Sequence, residues 1–572
     1  MKFISLTLKY IFLFLLISTY TKFVYAESYQ FTIDYNVSYI ASEGGVVNVD
    51  QKATITNLLN DTIPTNYTFT AKSMKIYDVL AITNGKTSEV QLEEKDGDTL
   101  ISVNISNYAI GQGRQNEIEL IYKSKNIATH TGKIWNIYIP KIQIPETTSK
   151  YDVTLTIPAS FGAKIYLSPI PDKEKNVEET TIYSFNKSNF RSTGIVAAFG
   201  EYQPINFKLK YQLKNSFFLP LFKKIALPPD IKGVQEVNYQ GVNPKPFKIS
   251  VDSDGNVMAT YILSPLGKLE VEVIGTAKLF GKQINIKQGK GLTEIPKDLK
   301  KRYIKAENYW EVNSQYVQKL ASQLKDDKIN VIENAQNIYN FITSNLTYNY
   351  TASENGLVER KGAEAVLTQK GSWTCMEFTD LFIATARAMG IPAREINGYA
   401  FVENETNKPL SISFKGGDLL HSWAEFYDPY YGWIQIDPTW GTTSGIDYFT
   451  KLDTGHITFV IKGINSSYPF SAGTYRFSDN KDEKLIDVAF SQNISEGSFK
   501  PKIEIKQVSN WNIMKVIMGQ RKYKVTNLGN VFIYNIGGKT VAPGTSKYLY
   551  FPNNLKEITY EDWSGNKITH PL

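Results

Sequence analysis

From Tyr29 the chain alternates in character for eleven residues: Tyr29, Phe31, Ile33, Tyr35, Val37 and Tyr39 fall on one side, and Gln30, Thr32, Asp34, Asn36 and Ser38 on the other. Successive side chains of an extended chain point to opposite faces, so this period of two predicts a half-buried antiparallel strand. Shorter runs of the same kind, such as residues 153–157, continue to about residue 212 between turns bearing Asn, Gly and Pro. Regularly spaced strands without intervening helices predict one or two β-sandwich units over 27–212. The β texture persists over 213–290, where residues 247–251 and 257–261 flank a turn at 252–255 and predict a hairpin.

The period changes near Asp298. Ile332, Ala335, Ile338, Tyr339 and Ile342 recur at steps of three and four, the spacing of one helix face. Helical texture lasts to about residue 390 and strands then return, which predicts one α+β domain over 291–455. Strand patterns at 522–527 and 542–551 assign 456–572 to a C-terminal β-rich, immunoglobulin-like domain. A chain of 572 residues exceeds what a single core supports, in keeping with this multidomain reading.

Residues 1–26 stand apart from these domains. Lys2 and Lys9 lead into an apolar run from Tyr10 to Ile17, and Val24-Tyr25-Ala26 ends the stretch with a small-residue site. The run is shorter than the roughly 20 residues that cross a bilayer, so it reads as a cleaved signal peptide, with an uncleaved anchor as the alternative. No later stretch has the length and apolarity of a transmembrane helix, and the mature chain is expected outside the cytoplasm, secreted or at the cell surface. Loss of Lys2, Lys9 and Lys22 with the leader lowers the formal charge from +7 to +4 (7 − 3), too little to imply a nucleic-acid partner.

One cysteine in an exported chain forms no internal disulfide, so every domain must be held by its own core. That cysteine, Cys375, opens a predicted helix over 375–389: Thr374 and Glu377 have the spacing of a capping box, and Gly390 followed by Pro392 stops the helix. Phe378, Leu381, Phe382 and Met389 are its expected buried side. Unpaired N–H groups in a first helical turn favour an anion, either a thiolate or an oxyanion on an attacked carbonyl. A lone cysteine is as readily a small buried hydrophobe.

A thiol nucleophile needs a base, and the chain has four histidines, His130, His421, His456 and His570. His421 begins a strand that turns through 428–432 into Trp433-Ile-Gln-Ile-Asp437, a hairpin by its alternation. If Ala424, Phe426, Ile434 and Ile436 share the core face, then His421, Trp423, Glu425, Gln435 and Asp437 share the other. Asp437 then lies across from Trp423 and diagonal to His421, within reach of a hydrogen bond. A zinc site built on Cys375, His421 and Asp437 lacks closely spaced ligand pairs, and no cofactor or metal is expected. Asp252 and Asp254 beside Gly255 read as turn formers rather than calcium ligands. Trp423, Trp433 and Trp440 either line a groove or pack around the hairpin.

The helix opening at Cys375, its exit Gly-Ile-Pro-Ala-Arg394, the strand Ile396-Asn-Gly-Tyr399, His421-Ser-Trp-Ala-Glu425 and Gly432-Trp-Ile-Gln-Ile-Asp-Pro-Thr439 together resemble the transglutaminase-like superfamily. The spacings of 46 residues (421 − 375) and 16 residues (437 − 421) suit it. The resemblance implies a papain-like core, with a nucleophile helix against a sheet, flanked by β-sandwich domains. It further implies Cys375 as nucleophile, His421 as general base and acid, and Asp437 as the orienting acid. Trp373 stands where many relatives carry glycine, which leaves the second oxyanion donor unassigned. The implied activity is thiol-dependent acyl transfer or hydrolysis on a protein or peptide substrate, and transamidation, deamidation and proteolysis remain open. Residues 403–420 are expected to border the groove. The rival function is a non-catalytic surface binding module built on the same core.

Overall fold

The computed structural model describes residues 29–572 except 72–73, 96–97, 141–146, 191–193, 352–358, 402–411, 414–418, 478–482, 492–493, 495 and 510–511. The expected leader at 1–26 and most of the 403–420 loop therefore lie outside the described residues. Among those described, no helix is long and apolar enough to cross a membrane.

The chain divides into two compact units, one of Met1–Tyr39, Asn48–Lys123 and Gln143–Thr154, the other of Ile40–Val47, Ser124–Ile142 and Leu155–Leu572. The opening strand Phe31–Ala41, which belongs to the first unit as far as Tyr39, has Val37 and Tyr39 buried, while Tyr29 ahead of it stays in solvent, so the alternation becomes a burial pattern only in its second half. A second sheet of this unit joins Asn66–Ala71, Asp98–Asn104 and Val90–Lys95.

The second unit holds several β layers and the helical core. Strand Gln203–Lys214 pairs along its whole length with Lys268–Leu279 and, on its other edge, with Ile486–Phe490. The boundary expected at 212/213 thus falls inside a strand, and a segment from beyond residue 456 completes the sheet, because its apolar face belongs to the same core as Phe207, Leu209 and Val273. The predicted hairpin forms, Lys248–Val251 pairing with Val257–Leu263. Asp252 closes its turn by accepting from the amides of Asp254 and Asn256, both at 2.9 Å. Asp254 is itself buried, with its carboxylate on the amides of Gly463 and Ile464 at 2.9 and 3.1 Å. At the C-terminus, Gln520–Asn527 pairs with Ile503–Val508 and Ser546–Pro552 over a small separate core.

The helical core contains α1 (Lys297–Tyr303), α2 (Gln315–Leu324), α3 (Val331–Asn345), α4 (Ala363–Thr368), α5 (Cys375–Ala388) and α6 (Pro438–Ser444), with strands β1 (Ala393–Ala400), β2 (Leu419–Asp428), β3 (Gly432–Ile436) and β4 (His456–Lys462). The expected face of α3, from Ile332 to Ile342, is buried. In α5 the side expected to pack does so, and most of the opposite side is buried as well, because the helix lies between the sheet and α2, α3 and α4. β2 pairs antiparallel with both β1 and β3, and β1 pairs on its other edge with β4. The core sheet thus takes its outer strand from beyond the boundary expected at 455/456.

Gly398 fixes the approach of β4. It sits at an irregularity in the β1–β4 pairing, and a Cβ there would collide with the Ile457 carbonyl oxygen and the Trp423 ring. Gly398→Ala is expected to lower core stability by about 1–3 kcal/mol through overpacking, measured as a shift in the urea midpoint.

Candidate active site

Cys375 is the first residue of α5 and is wholly buried. The helix start is held by Glu377, whose carboxylate accepts from the Thr374 amide at 3.1 Å, the Thr374 hydroxyl at 2.7 Å and the Lys361 amide at 3.0 Å. Reach-back of this acid satisfies donors that a helix N-terminus otherwise leaves open. Trp373, just upstream, bonds through its backbone to Thr347 and Asn349, and its side chain is part of the hydrophobic core.

The β2–β3 hairpin has the register that the burial pattern predicts: Ala424 faces Ile436, Glu425 faces Gln435 and Phe426 faces Ile434. Asp437 follows as the N-cap of α6, its Oδ1 accepting from the amides of Thr439 and Trp440 at 2.9 and 3.0 Å. Its other oxygen, Oδ2, meets His421 Nε2 at 2.8 Å, with both side chains fully buried. His421 Nδ1 has no hydrogen-bond partner among the described residues. The imidazole stacks near-parallel with two indoles, Trp440 at 5.0 Å and Trp423 at 5.9 Å between ring centroids. Trp433 lies apart, half-buried under the Arg394 guanidinium at 3.6 Å.

The electrostatics favour an ionised pair. Burial alone would push the His421 pKa down, but the Asp437 carboxylate, followed by the nearby Cys375 side chain, raises it to about 9. Burial would likewise push Asp437 up, yet His421 and His456 hold it down to about 2.

His456, passed over in the sequence reading, is the second neighbour of Asp437. Its Nε2 lies 3.5 Å from Asp437 Oδ2, and its Nδ1 meets Asp453 Oδ1 at 2.6 Å. Asp453 in turn accepts from the Tyr448 hydroxyl at 2.9 Å. Burial lowers the His456 pKa, but Asp453 and then Asp437 bring it to about 9. No local pattern marks this residue. It reaches the site because β4 pairs with β1, more than fifty residues earlier in the chain.

His421, Asp437 and His456 place three possible metal-donor atoms within 4.8 Å of one another. Both imidazoles face the same carboxylate oxygen, and carboxylates raise both pKa values to about 9, so a metal binding there would have to displace their protons.

Residues 314–438 match the family model of the transglutaminase-like superfamily. That segment is a transglutaminase-like core set within a β-rich, multidomain chain. Among curated proteins the chain is similar to "Uncharacterized protein YebA" of Bacillus subtilis (strain 168), at 31% identity over 144 residues. The match covers 24% of this chain and 19% of YebA, so the chain spans about a fifth of that relative's length. Among solved structures it is similar to one named "Putative Cysteine Protease" from Cytophaga hutchinsonii, at 16% identity and a TM-score of 0.35, over 51% of this chain and 99% of the other. It is also similar to one named "putative protease" from Parabacteroides distasonis, at 11% identity and a TM-score of 0.20, over 92% of this chain and 94% of the other.

Proposed function

We propose that this chain is an exported thiol enzyme of acyl transfer or amide hydrolysis on protein substrates, with Cys375 as nucleophile, His421 as general acid and base, and Asp437 as orienting carboxylate. The observation that carries this reading is the buried 2.8 Å bond from His421 Nε2 to Asp437, which leaves Nδ1 for a thiol at a helix start. An imidazole that keeps its proton to about pH 9 supplies the cation that a thiolate needs near neutrality.

The thiolate attacks the amide carbonyl carbon and forms a C–S bond, with N–H groups of the first turn of α5 available to the oxyanion. Collapse breaks the C–N bond as His421 Nδ1 delivers its proton to the departing amine or ammonia, leaving a thioester and a neutral imidazole. Water or a lysine amine then attacks the thioester. His421 takes up the proton, the C–S bond breaks, and the ion pair is restored. Water completes hydrolysis or deamidation, and an amine completes a crosslink. Export rests on the leader pattern of residues 1–26.

Cys375→Ala is expected to abolish turnover of any substrate that the parent chain processes. Surface proteins incubated with the enzyme and a labelled primary amine, followed by mass spectrometry, separate the chemistries: incorporated label marks transamidation and new termini mark proteolysis. Unchanged turnover in the alanine variant overturns the assignment.

One observation favours a second reading, a non-catalytic binding module: Cys375, His421 and Asp437 are all sealed from solvent. Iodoacetamide distinguishes the two. An enzyme whose site admits substrate is expected to be alkylated at Cys375 within minutes near neutral pH without denaturant. Alkylation that requires denaturant supports the binding module.

A further inference from the structure

Far along the chain from the thiol, the three-stranded sheet of Leu221–Leu227, Val257–Leu263 and Lys248–Val251 ends in a tip that inverts the usual sorting of residues. Phe218 is 82% exposed, Leu219 74%, Phe247 68%, Phe217 65% and Phe222 62%. Scattered exposed hydrophobes need no explanation, but a contiguous group of large ones marks an interaction surface. Phe222 faces Ile262 in the strand register and packs edge-on against Phe247, with ring centroids 6.2 Å apart, and Phe217, Phe218 and Leu219 lie in the loop that leads directly into the strand of Phe222.

The exposure is built into the fold. Asn215 is fully buried, and its side chain donates to the carbonyls of Leu219 and Ser264, each at 2.8 Å, while its Oδ1 accepts from the Phe217 amide at 2.9 Å. The Leu266 amide donates to the Phe217 carbonyl at 3.0 Å. These bonds fix the 215–219 loop in a shape that holds two phenylalanines and a leucine out in water.

Charge identifies the occupant. Residues 214–227, 243–251 and 256–268, which form the tip and its strands, contain Lys214, Lys223, Lys224, Lys245, Lys248 and Lys268 and neither Asp nor Glu. Two residues behind the Phe222/Ile262 row, Thr260 is flanked by Lys224 and Lys248, which face it from either side. At about 3.3 Å per residue, this cationic row sits about 7 Å behind the apolar one. Aromatic and aliphatic side chains in front with lysines one step behind match the boundary between acyl chains and anionic headgroups.

We propose that this tip docks the protein on an anionic lipid bilayer, with Phe218 and Leu219 entering the acyl boundary and Lys224 and Lys248 meeting headgroup phosphates. The proposal is independent of the catalytic reading, because it uses none of the residues near Cys375.

The test is co-sedimentation of the mature chain, from residue 27, with vesicles of phosphatidylcholine mixed with phosphatidylglycerol, and with phosphatidylcholine alone. The parent chain is expected to pellet with the mixed vesicles, more weakly at raised salt, and poorly with the neutral ones. A chain carrying both Phe218→Asp and Leu219→Asp is expected to lose about tenfold or more in partitioning. Both side chains are exposed, so folding is retained and is checked by an unchanged melting profile. Lys224→Glu with Lys248→Glu, which leaves the apolar tip intact, is expected to remove the preference for anionic vesicles. The proposal is overturned if the parent chain stays in the supernatant, or if the Asp variants pellet as well as the parent. It is equally overturned if the patch instead drives self-association, seen as a dimer in ultracentrifugation that the Asp variants dissolve without any vesicle binding.

Discussion

Asp437→Asn is expected to lower turnover by about 10³–10⁴-fold while leaving the fold of the core in place. The variant keeps an oxygen that can cap α6, so the Thr439 and Trp440 amides retain an acceptor. What it loses is the negative charge. His421 and His456 both owe their pKa near 9 to carboxylates acting against burial, and Asp437 is the larger of these influences on His421. With a neutral amide in its place, burial dominates and the His421 imidazole becomes neutral at the pH of assay. A neutral imidazole offers no cation to hold a thiolate and no proton for the departing amine.

The same change has a thermodynamic signature that a general loss of structure would not produce. In the parent chain the native pKa of each imidazole, about 9, lies above the 6.5 of a free histidine, so the native state binds these protons more tightly than the unfolded chain. The stability this contributes is present in full below about pH 6.5 and is lost as the pH rises through about 9. It is on the order of a few kcal/mol, since one pKa unit corresponds to about 1.4 kcal/mol. Urea midpoints measured from pH 6.5 to 9.5 should fall steadily for the parent chain and fall less for the Asn variant, in which Asp453 still holds the His456 proton but His421 has lost its carboxylate. Equal slopes would show that Asp437 does not hold the His421 imidazole protonated.

The helix and the hairpin were legible in the sequence because both are encoded within a few residues of themselves. Thr374, Glu377 and Gly390 mark the ends of α5 by local capping chemistry, and the parity of Ala424, Phe426, Ile434 and Ile436 sets a register that a one-residue slip would destroy. The burial of the hairpin's polar face was not legible. Glu425 and Gln435 read as outward-facing, yet Glu425 is buried against Arg394 at 2.6 Å and Gln435 accepts from the Trp423 indole at 3.2 Å. Such residues go inside because partners from other elements satisfy them, and alternation along one strand carries no record of those partners. His456 was missed for the same reason: its strand reads as part of a following β domain, and only the pairing of β4 with β1 brings it to Asp437.

Arg360→Met is expected to be the most destabilising single change in the core, by about 3–5 kcal/mol near neutral pH, because it leaves buried carboxylates without their cation. The Arg360 guanidinium donates to Asp380 through Nε at 2.9 Å and again through Nη2, to Glu395 at 2.8 Å and to the Ser466 carbonyl at 3.0 Å. Asp380 lies on α5, the helix that begins at Cys375, and also accepts from the Trp310 indole at 2.9 Å. Glu395 lies on β1 and accepts from Ser422, the residue after His421, at 3.1 Å and from Asn397 at 2.7 Å. One cation therefore ties the helix that begins at Cys375 to β1 and, through Glu395 and Ser422, to the strand that carries His421. Lys462, 3.5 Å from Glu395, can partly compensate that acid, but Asp380 has no such substitute among the ion pairs of the described residues. Burial already pushes Asp380 up to about 7 against the pull of Arg360, so without the guanidinium this acid takes a proton to remain buried. Its native pKa then stands far above the unfolded value of 3.8, and stability falls as the pH rises toward that native pKa. The penalty of Arg360→Met should accordingly be smaller at pH 5, where a proton replaces the lost charge, than at pH 8. Urea midpoints of variant and parent compared at the two pH values check this, and a penalty independent of pH would mean that the cost lies in lost packing over the Tyr309 ring rather than in the stranded carboxylate.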